Sequence, residues 1–250
     1  MQIRLIRSAT MQFQYGGQKF ITDPYLAEKL SLPSYRGVSK NPMVDLPIPA
    51  SEVIAGFDTV IVSHRHSDHF DKTAKNLLPK KVNFFCQPCD QAATEAEGFQ
   101  NVIAIESCIL WHGIKITRVP GQHGSGGVLS DMGTVSGFVF EHGNEPTVYW
   151  MGDTIWYEGA ADVIRRFKPD IIITHSSGAV WDDNILIVMD AAQTIAVCKA
   201  APNSTVVAVH MESLDHATTS RNDLREYANR HSIPPEKLLI PLDGEELSFS

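Results

Sequence analysis

One run in this 250-residue chain is dense in groups that can hold a metal ion: Ser63-His64-Arg65-His66-Ser67-Asp68-His69-Phe70-Asp71. It offers four candidate ligands in the order H-x-H-x-D-H, directly after a short apolar run, Asp58–Ser63. Residues two apart in extended chain point the same way, so His64 and His66 share one side. Asp68 and His69 begin the next turn and face elsewhere. The spacing suits two adjacent ions, one per pair. Imidazole and carboxylate without thiolate suit zinc best, with iron, manganese or nickel as alternatives. The competing reading is an Arg/His/Asp surface turn that caps a helix.

Each ion needs more ligands, and the chain offers them just past apolar strand-like runs. His123 follows Lys115–Val119 in a Gly-rich loop, Asp153 follows Thr147–Met151, and His210 follows Val206–Val209. Each alone reads as an ordinary core or surface residue. Three at strand ends, downstream of the same motif, argue together for a site.

The elements that must position these groups are legible in outline. Ile3–Ile6, Met11–Gln14 and Lys19–Thr22 read as strands, with Gly16-Gly17 as a hairpin turn between the last two. Tyr25–Pro49 contains Pro33, Pro42, Pro47 and Pro49, which break any regular element. So long a loop has a job, such as covering a pocket. Beyond it, strands at Asp58–Ser63, Val82–Cys86, Val102–Ile105, Lys115–Val119, Val135–Glu141, Thr147–Met151, Ile171–Thr174, Thr205–Val209, Leu238–Ile240 and Leu247–Ser248 alternate with helices. The helices are expected at Asp71–Leu78, after Asp90 as cap, at Ala160–Phe167, at Asp190–Ala200 and after the capping box Ser220-x-x-Asp223. The order points to one domain over 1–250, two mixed sheets packed together with helices outside.

Composition bounds the function. Hydrophobic residues make up 43% and charged residues 20%, which excludes a disordered chain. The net charge of −8 argues against a protein built to grip nucleic acid or anionic lipid. The start lacks an apolar signal-peptide core, and no run approaches the ~18 apolar residues of a membrane span. Cys86, Cys89, Cys108 and Cys198 make no disulfide framework. Cys86-x-x-Cys89 has no second pair to complete a thiolate zinc site and reads as two structural thiols at a strand end. A reduced, cytoplasmic setting is expected.

The constellation resembles the metallo-β-lactamase superfamily over nearly the whole chain. The resemblance implies a four-layer αβ/βα sandwich of the α/β (α+β) class and two divalent metal ions. It implies that His64, His66 and His123 hold one ion, that Asp68, His69 and His210 hold the other, and that Asp153 bridges both. Asp23, in Asp23-Pro24, matches an early Asp that supports the metal loop and is not a ligand. Within the superfamily the chain looks closest to ascorbate-phosphate lactonase-like and phospholipase-D-like hydrolases. Asn41-Pro42-Met43-Val44-Asp45-Leu46-Pro47, Gly121-Gln122-His123-Gly124 and His210-Met211-Glu212-Ser213-Leu214-Asp215-His216 carry that likeness. Flavin-linked di-iron members usually have Glu where this chain has His66, so hydrolysis is expected over oxygen chemistry.

The expected activity is metal-dependent hydrolysis of an ester-type bond in a small molecule: a lactone, phosphodiester or carboxylic ester. A water shared between two such ions ionises near neutral pH. Asp68, as ligand and hydrogen-bond acceptor, would orient it and take up its proton. His216, six residues past His210, is a candidate to donate to a substrate oxyanion. His175 at a strand end, Trp156 beside Asp153, and Arg221 as an anion-binding group are candidate substrate contacts. Trp150 reads as core, while Trp181, Tyr157, Tyr35 and Arg36 are further candidates for the substrate wall. A phosphodiesterase acting on a lipid or nucleotide fragment is the closest rival. A metal-binding module without turnover and a redox di-iron protein are the others. Homo-oligomerisation is compatible with the resemblance.

Overall fold

The computed structural model describes residues 1–249; Ser250, the last residue of the expected domain, lies outside them. The chain opens with three antiparallel strands, β1 (Gln2–Arg7), β2 (Thr10–Tyr15) and β3 (Gln18–Thr22). In β2 the buried Met11, Phe13 and Tyr15 alternate with the more open Gln12 and Gln14, the period-two pattern of a strand with one core face. Tyr15 pairs with Gln18 across Gly16 and Gly17, both at positive φ, as a two-residue hairpin requires.

Residues 25–49 form no helix or strand, as the prolines demand. The buried Arg7 guanidinium donates to the carbonyls of Tyr25 (2.8 Å), Ala27 (2.9 Å) and Val44 (3.2 Å), so it ties both flanks of this segment to β1. After α1 (Ala50–Ile54) come β4 (Thr59–Ile61), α2 (Lys72–Leu77), β5 (Asn83–Cys86), α3 (Gln91–Ala96) and β6 (Asn101–Ala104). β3, β4, β5 and β6 run parallel.

The second half contains β7 (Cys108–Trp111), β8 (Ile114–Pro120), α4 (Val128–Met132), β9 (Ser136–His142), β10 (Glu145–Trp150), α5 (Glu158–Phe167) and β11 (Ile171–His175). A small hairpin, β12 (Val180–Trp181) with β13 (Ile185–Leu186), precedes α6 (Ala191–Ala200), β14 (Thr205–Val209), α7 (Arg221–Arg230), β15 (Leu238–Leu239) and β16 (Glu246–Ser248). One seven-stranded sheet has the order β16-β1-β2-β3-β4-β5-β6, the other β15-β14-β11-β10-β9-β8-β7.

The two sheets face each other across a core in which Phe13, Phe20, Ile61 and Phe85 of the first meet Phe138, Phe140, Trp150 and Ile173 of the second. Two further apolar layers cover the outer faces. Val60, Phe84 and Cys86 pack under Val53, Ala74 and Leu78. Ile172, Val206 and Ala208 pack under Val163, Ile195 and Leu224. A strand buried on both faces needs apolar residues at successive positions, which is why these segments read as continuous β-branched runs. The result is the expected helix–sheet–sheet–helix sandwich. Among the described residues, no helix is long and apolar enough to cross a membrane.

Local differences from expectation have physical causes. Asp90 does not cap α3 with its side chain; a 3-10 turn, Pro88–Asp90, precedes that helix, and the Asp90 carboxylate accepts instead from Gln87 (2.9 Å). The short α1, α4, β7 and the β12–β13 hairpin went unread because two to five residues are too few to establish a period. Asp71, Asp190 and the Ser220/Asp223 box do cap their helices.

Candidate metal centre

β8, β10, β11 and β14 share one direction, and β4 ends at the same rim of the sandwich, so residues just past these strands converge. Crevices outside the carboxyl ends of parallel strands are where open α/β sheets bind ligands. All seven expected ligands, His64, His66, Asp68, His69, His123, Asp153 and His210, meet there. One nitrogen from each of His64, His66 and His123 lies within 4.8 Å of the others. His69, Asp153 and His210 form a second such group, joined by His175. Asp68 Oδ2 sits 3.4 Å from His210 Nε2 and 3.6 Å from His69 Nε2. Asp153 Oδ2 lies between the groups, 3.2 Å from His69 Nε2 and 3.5 Å from His123 Nε2.

Hydrogen bonds on the outer side of the rings set which nitrogen faces inward. His69 Nδ1 donates to Asp23 Oδ2 (2.7 Å), leaving Nε2 toward the centre. His123 Nδ1 donates to the Ile187 carbonyl (2.8 Å). Ser63 Oγ gives its proton to Asp23 Oδ2 (2.7 Å) and so accepts from His64 Nδ1 (3.0 Å). Asp23 is fully buried and also accepts from the Ser63 backbone N–H (2.7 Å). It thus ties β3 to the metal-motif turn and holds the His69 ring.

This donor set fits a divalent metal pair. His69 Nε2 and His210 Nε2 stand 3.1 Å apart, and His64 Nε2 and His66 Nδ1 stand 3.0 Å apart. Inward-facing lone pairs at that separation repel unless a proton or a cation sits among them. Nitrogen and oxygen donors from two or three histidines and one or two carboxylates per position are zinc-like chemistry.

The buried charges of the cluster act strongly on one another. Burial opposes the charge on Asp68, but His69 and His210 outweigh it and hold the carboxyl well below the usual range. Asp153 is likewise held down against burial by His69, His210 and His123. Burial, aided by neighbouring imidazoles, pushes His64 well below its ordinary value. Burial also takes His123 down to about 4. His69 is raised because Asp153, Asp68 and Asp23 surround it, despite burial.

A cavity of about 200 Å³ opens onto the cluster. Its floor is His66, Ser67, Asp68, His123 and Asp153; Tyr35, Met132, Trp181, Ile187 and His216 wall it, and Asp131 stands at its side. Tyr35 comes from the proline-rich segment, with its hydroxyl 2.5 Å from Ser67 Oγ and its ring edge-on to His216 at 4.9 Å between centroids. His216 is 6% exposed, and its Nδ1 is buried without a partner. Burial lowers its pKa, so it is neutral at neutral pH.

Three expected substrate contacts are placed otherwise. His175 is fully buried behind Asp153, with both ring nitrogens engaged, and does not line this cavity. Trp156 packs against the outer core of the second sheet, with its backbone N–H on Gln193. The Arg221 guanidinium is spent on Glu212 (2.6 Å), Asp243 (2.5 Å) and the Pro241 carbonyl (2.8 Å), which tie α7 to the C-terminal segment. Sequence reasoning missed Met132, Ile187 and Asp131, whose types are unremarkable. It also missed Asp215, which carries the loop over the cavity.

The comparisons with known proteins agree with this geometry. The pattern of the Beta-lactamase superfamily domain matches residues 19–211. UPF0173 protein YddR of Bacillus subtilis (strain 168) is 36% identical, with all of both chains covered. The crystal structure of an isothiocyanate hydrolase from Delia radicum gut bacteria superposes with a TM-score of 0.93 at 38% identity, covering 100% of this chain and 99% of that one. A possible metal-dependent hydrolase from Veillonella parvula superposes with a TM-score of 0.95 at 31% identity, with the same coverage. The chain belongs to the β-lactamase superfamily, within its UPF0173 group of metal-dependent hydrolases.

Proposed function

We propose that this hydrolase binds two divalent ions, most favourably zinc, and cleaves a small, uncharged, largely apolar substrate. The observation that carries the reading is the cavity wall. Tyr35, Met132, Trp181 and Ile187 present apolar surface, no Lys or Arg lines the cavity among the described residues, and Asp131 adds a negative charge. Away from the ions, a phosphodiester would meet the Asp131 carboxylate with no Lys or Arg to offset it, whereas a lactone or carboxylic ester brings no charge to offset. His64, His66 and His123 would hold one ion, Asp68, His69 and His210 the other, with Asp153 between them.

Ions held by these residues would supply a water acidic enough to ionise near neutral pH and positive charge for the developing oxyanion. Asp68, held as a carboxylate by His69 and His210, would accept a hydrogen bond from the attacking water and orient it. His216, neutral and at the cavity wall, donates a hydrogen bond to the oxyanion. Tyr35 and Trp181 hold the apolar part of the substrate and exclude bulk water. A second reading, an isothiocyanate in place of the ester, is favoured by the 38% identity to the isothiocyanate hydrolase. Its electrophilic carbon is also uncharged and small.

The test is elemental analysis of the purified protein together with turnover of a lactone, an aryl ester, an aryl isothiocyanate and a bis-aryl phosphodiester. About two zinc per chain and chelator-sensitive turnover of an uncharged substrate are expected. Preference for the phosphodiester would overturn the substrate class. Two irons without hydrolysis would favour redox chemistry, and no metal after reconstitution would end the reading.

A further inference from the structure

We infer that His175 is a positioning residue that aims Asp153, and that Trp150 sets the tautomer in which it does so; this rests on the metal centre proposed above. Trp150 Nε1–H donates to His175 Nε2 at 3.0 Å. An indole nitrogen can only donate, so Nε2 must be the lone-pair nitrogen of the His175 ring. The ring proton therefore resides on Nδ1, which donates to Asp153 Oδ1 at 2.5 Å. With Oδ1 occupied in this way, Oδ2 is the oxygen turned toward His69 and His123.

The arrangement separates His175 from the ligands it touches. Its ring lies against those of His69 and His210 at interplanar angles of 20° and 33°. Neither of its nitrogens has a lone pair left for an ion. The supporting pieces are rigid. Trp150 closes β10 and stacks on Phe138 at 5.7 Å between centroids. His175 ends β11, which pairs with β10 and β14 on either side. Asp153 thus receives its orientation from the sheet through a two-step donor chain, indole to imidazole to carboxylate. Such partners of a ligand tune metal affinity without contacting the ion.

The experiment has two arms. Long-range 1H–15N spectra of the zinc-loaded parent report the His175 tautomer directly; a neutral ring with hydrogen on Nδ1 is expected, and hydrogen on Nε2 would overturn the inference. Zinc affinity is then measured by chelator competition for the parent, His175→Phe and His175→Asn. His175→Phe should weaken affinity by roughly 10- to 100-fold while keeping the parent's stoichiometry at saturating zinc. His175→Asn, whose amide can occupy the Nδ1 donor position, should recover most of that loss. Affinity within twofold of the parent in His175→Phe would remove the positioning role, and loss of a whole zinc equivalent at saturation would make His175 a ligand instead. A parent that binds no zinc would overturn the functional reading, and the same spectra recorded on the metal-free protein would still decide whether His175 is set as described. Should the Phe variant fail to fold, the parent's tautomer and the Asn variant decide.

Discussion

The segment over the cavity hangs on one carboxylate, and removing it should open the loop without unfolding the protein. Asp215 accepts from the Ser34 hydroxyl, from the backbone N–H groups of Tyr35 (2.9 Å), Arg36 (3.1 Å), Val38 (3.3 Å) and Ser39 (3.3 Å), and from Asn41 Nδ2 (3.0 Å). Four of these are short enough to count fully. At about 0.5–1.5 kcal/mol net each, and toward the lower end because an exposed segment regains water when it opens, they sum to about 2–3 kcal/mol. Asp215→Ala should therefore raise the population of the open loop by roughly 30- to 150-fold. Arg36 and Lys40 are exposed trypsin sites inside the clamped stretch. When opening is fast, cleavage tracks the open population. Tryptic nicking after Arg36 or Lys40, located by mass spectrometry, should accelerate by that factor, with little change in the thermal midpoint. Nicking within threefold of the parent would show that the loop is held by something other than Asp215.

Four further outcomes are expected. His64→Ala combined with His66→Ala should lose one metal equivalent by elemental analysis and all hydrolysis; full activity in that variant would refute the ligand assignment. Asp23→Asn presents an amide to the Ser63 and His69 donors and should weaken metal binding by roughly 10- to 100-fold in chelator competition, with the fold retained by circular dichroism. Phe140→Ala, which empties a place packed against Phe13 at 5.1 Å between the sheets, should cost about 3–5 kcal/mol in guanidinium unfolding. Burial opposes the Asp215 charge, but its donors hold its folded pKa below the ordinary carboxylate value. The clamp is therefore complete above the unfolded value of ~3.9 and is lost as pH falls toward the folded one. Peptic cleavage of residues 34–41 should rise as pH drops from about 4 to about 2, more steeply in the parent than in Asp215→Ala.

The metal-centre residues were legible because their chemistry is rare and their places follow a rule. H-x-H-x-D-H is conspicuous as residue types, and His123, Asp153 and His210 all stand just past apolar runs, which is where parallel strands deliver side chains to a common rim. The layer order was legible for a related reason: a strand such as Ile171–His175, buried on both faces, opens with three successive apolar residues, Ile171, Ile172 and Ile173. What escaped detection was set by contacts between distant segments. Arg221 was read as an anion-binding group, but its partners, Glu212 and Asp243, stand nine and 22 residues away, and nothing local announces them. His175 was read at the rim as a substrate contact, whereas its two nitrogens bond Trp150, 25 residues back, and Asp153, 22 residues back. Met132 and Ile187 became cavity wall through the packing of α4 and the β12–β13 hairpin, elements too short to read. Tyr35 reaches the centre only because Asp215, 180 residues later, gathers its backbone.

The sheets are nearly consecutive in the chain: apart from β16, the first is complete by residue 104 and the second begins at residue 108. Yet the cluster takes four of its seven ligand candidates from the turn after β4 and the other three from the second sheet. A chain divided in the short link at residues 105–107 would yield two pieces, each carrying an incomplete set of donors. Metal retention would then serve as a readout of reassembly, and such a pair could act as a proximity reporter whose signal exists only when the halves meet.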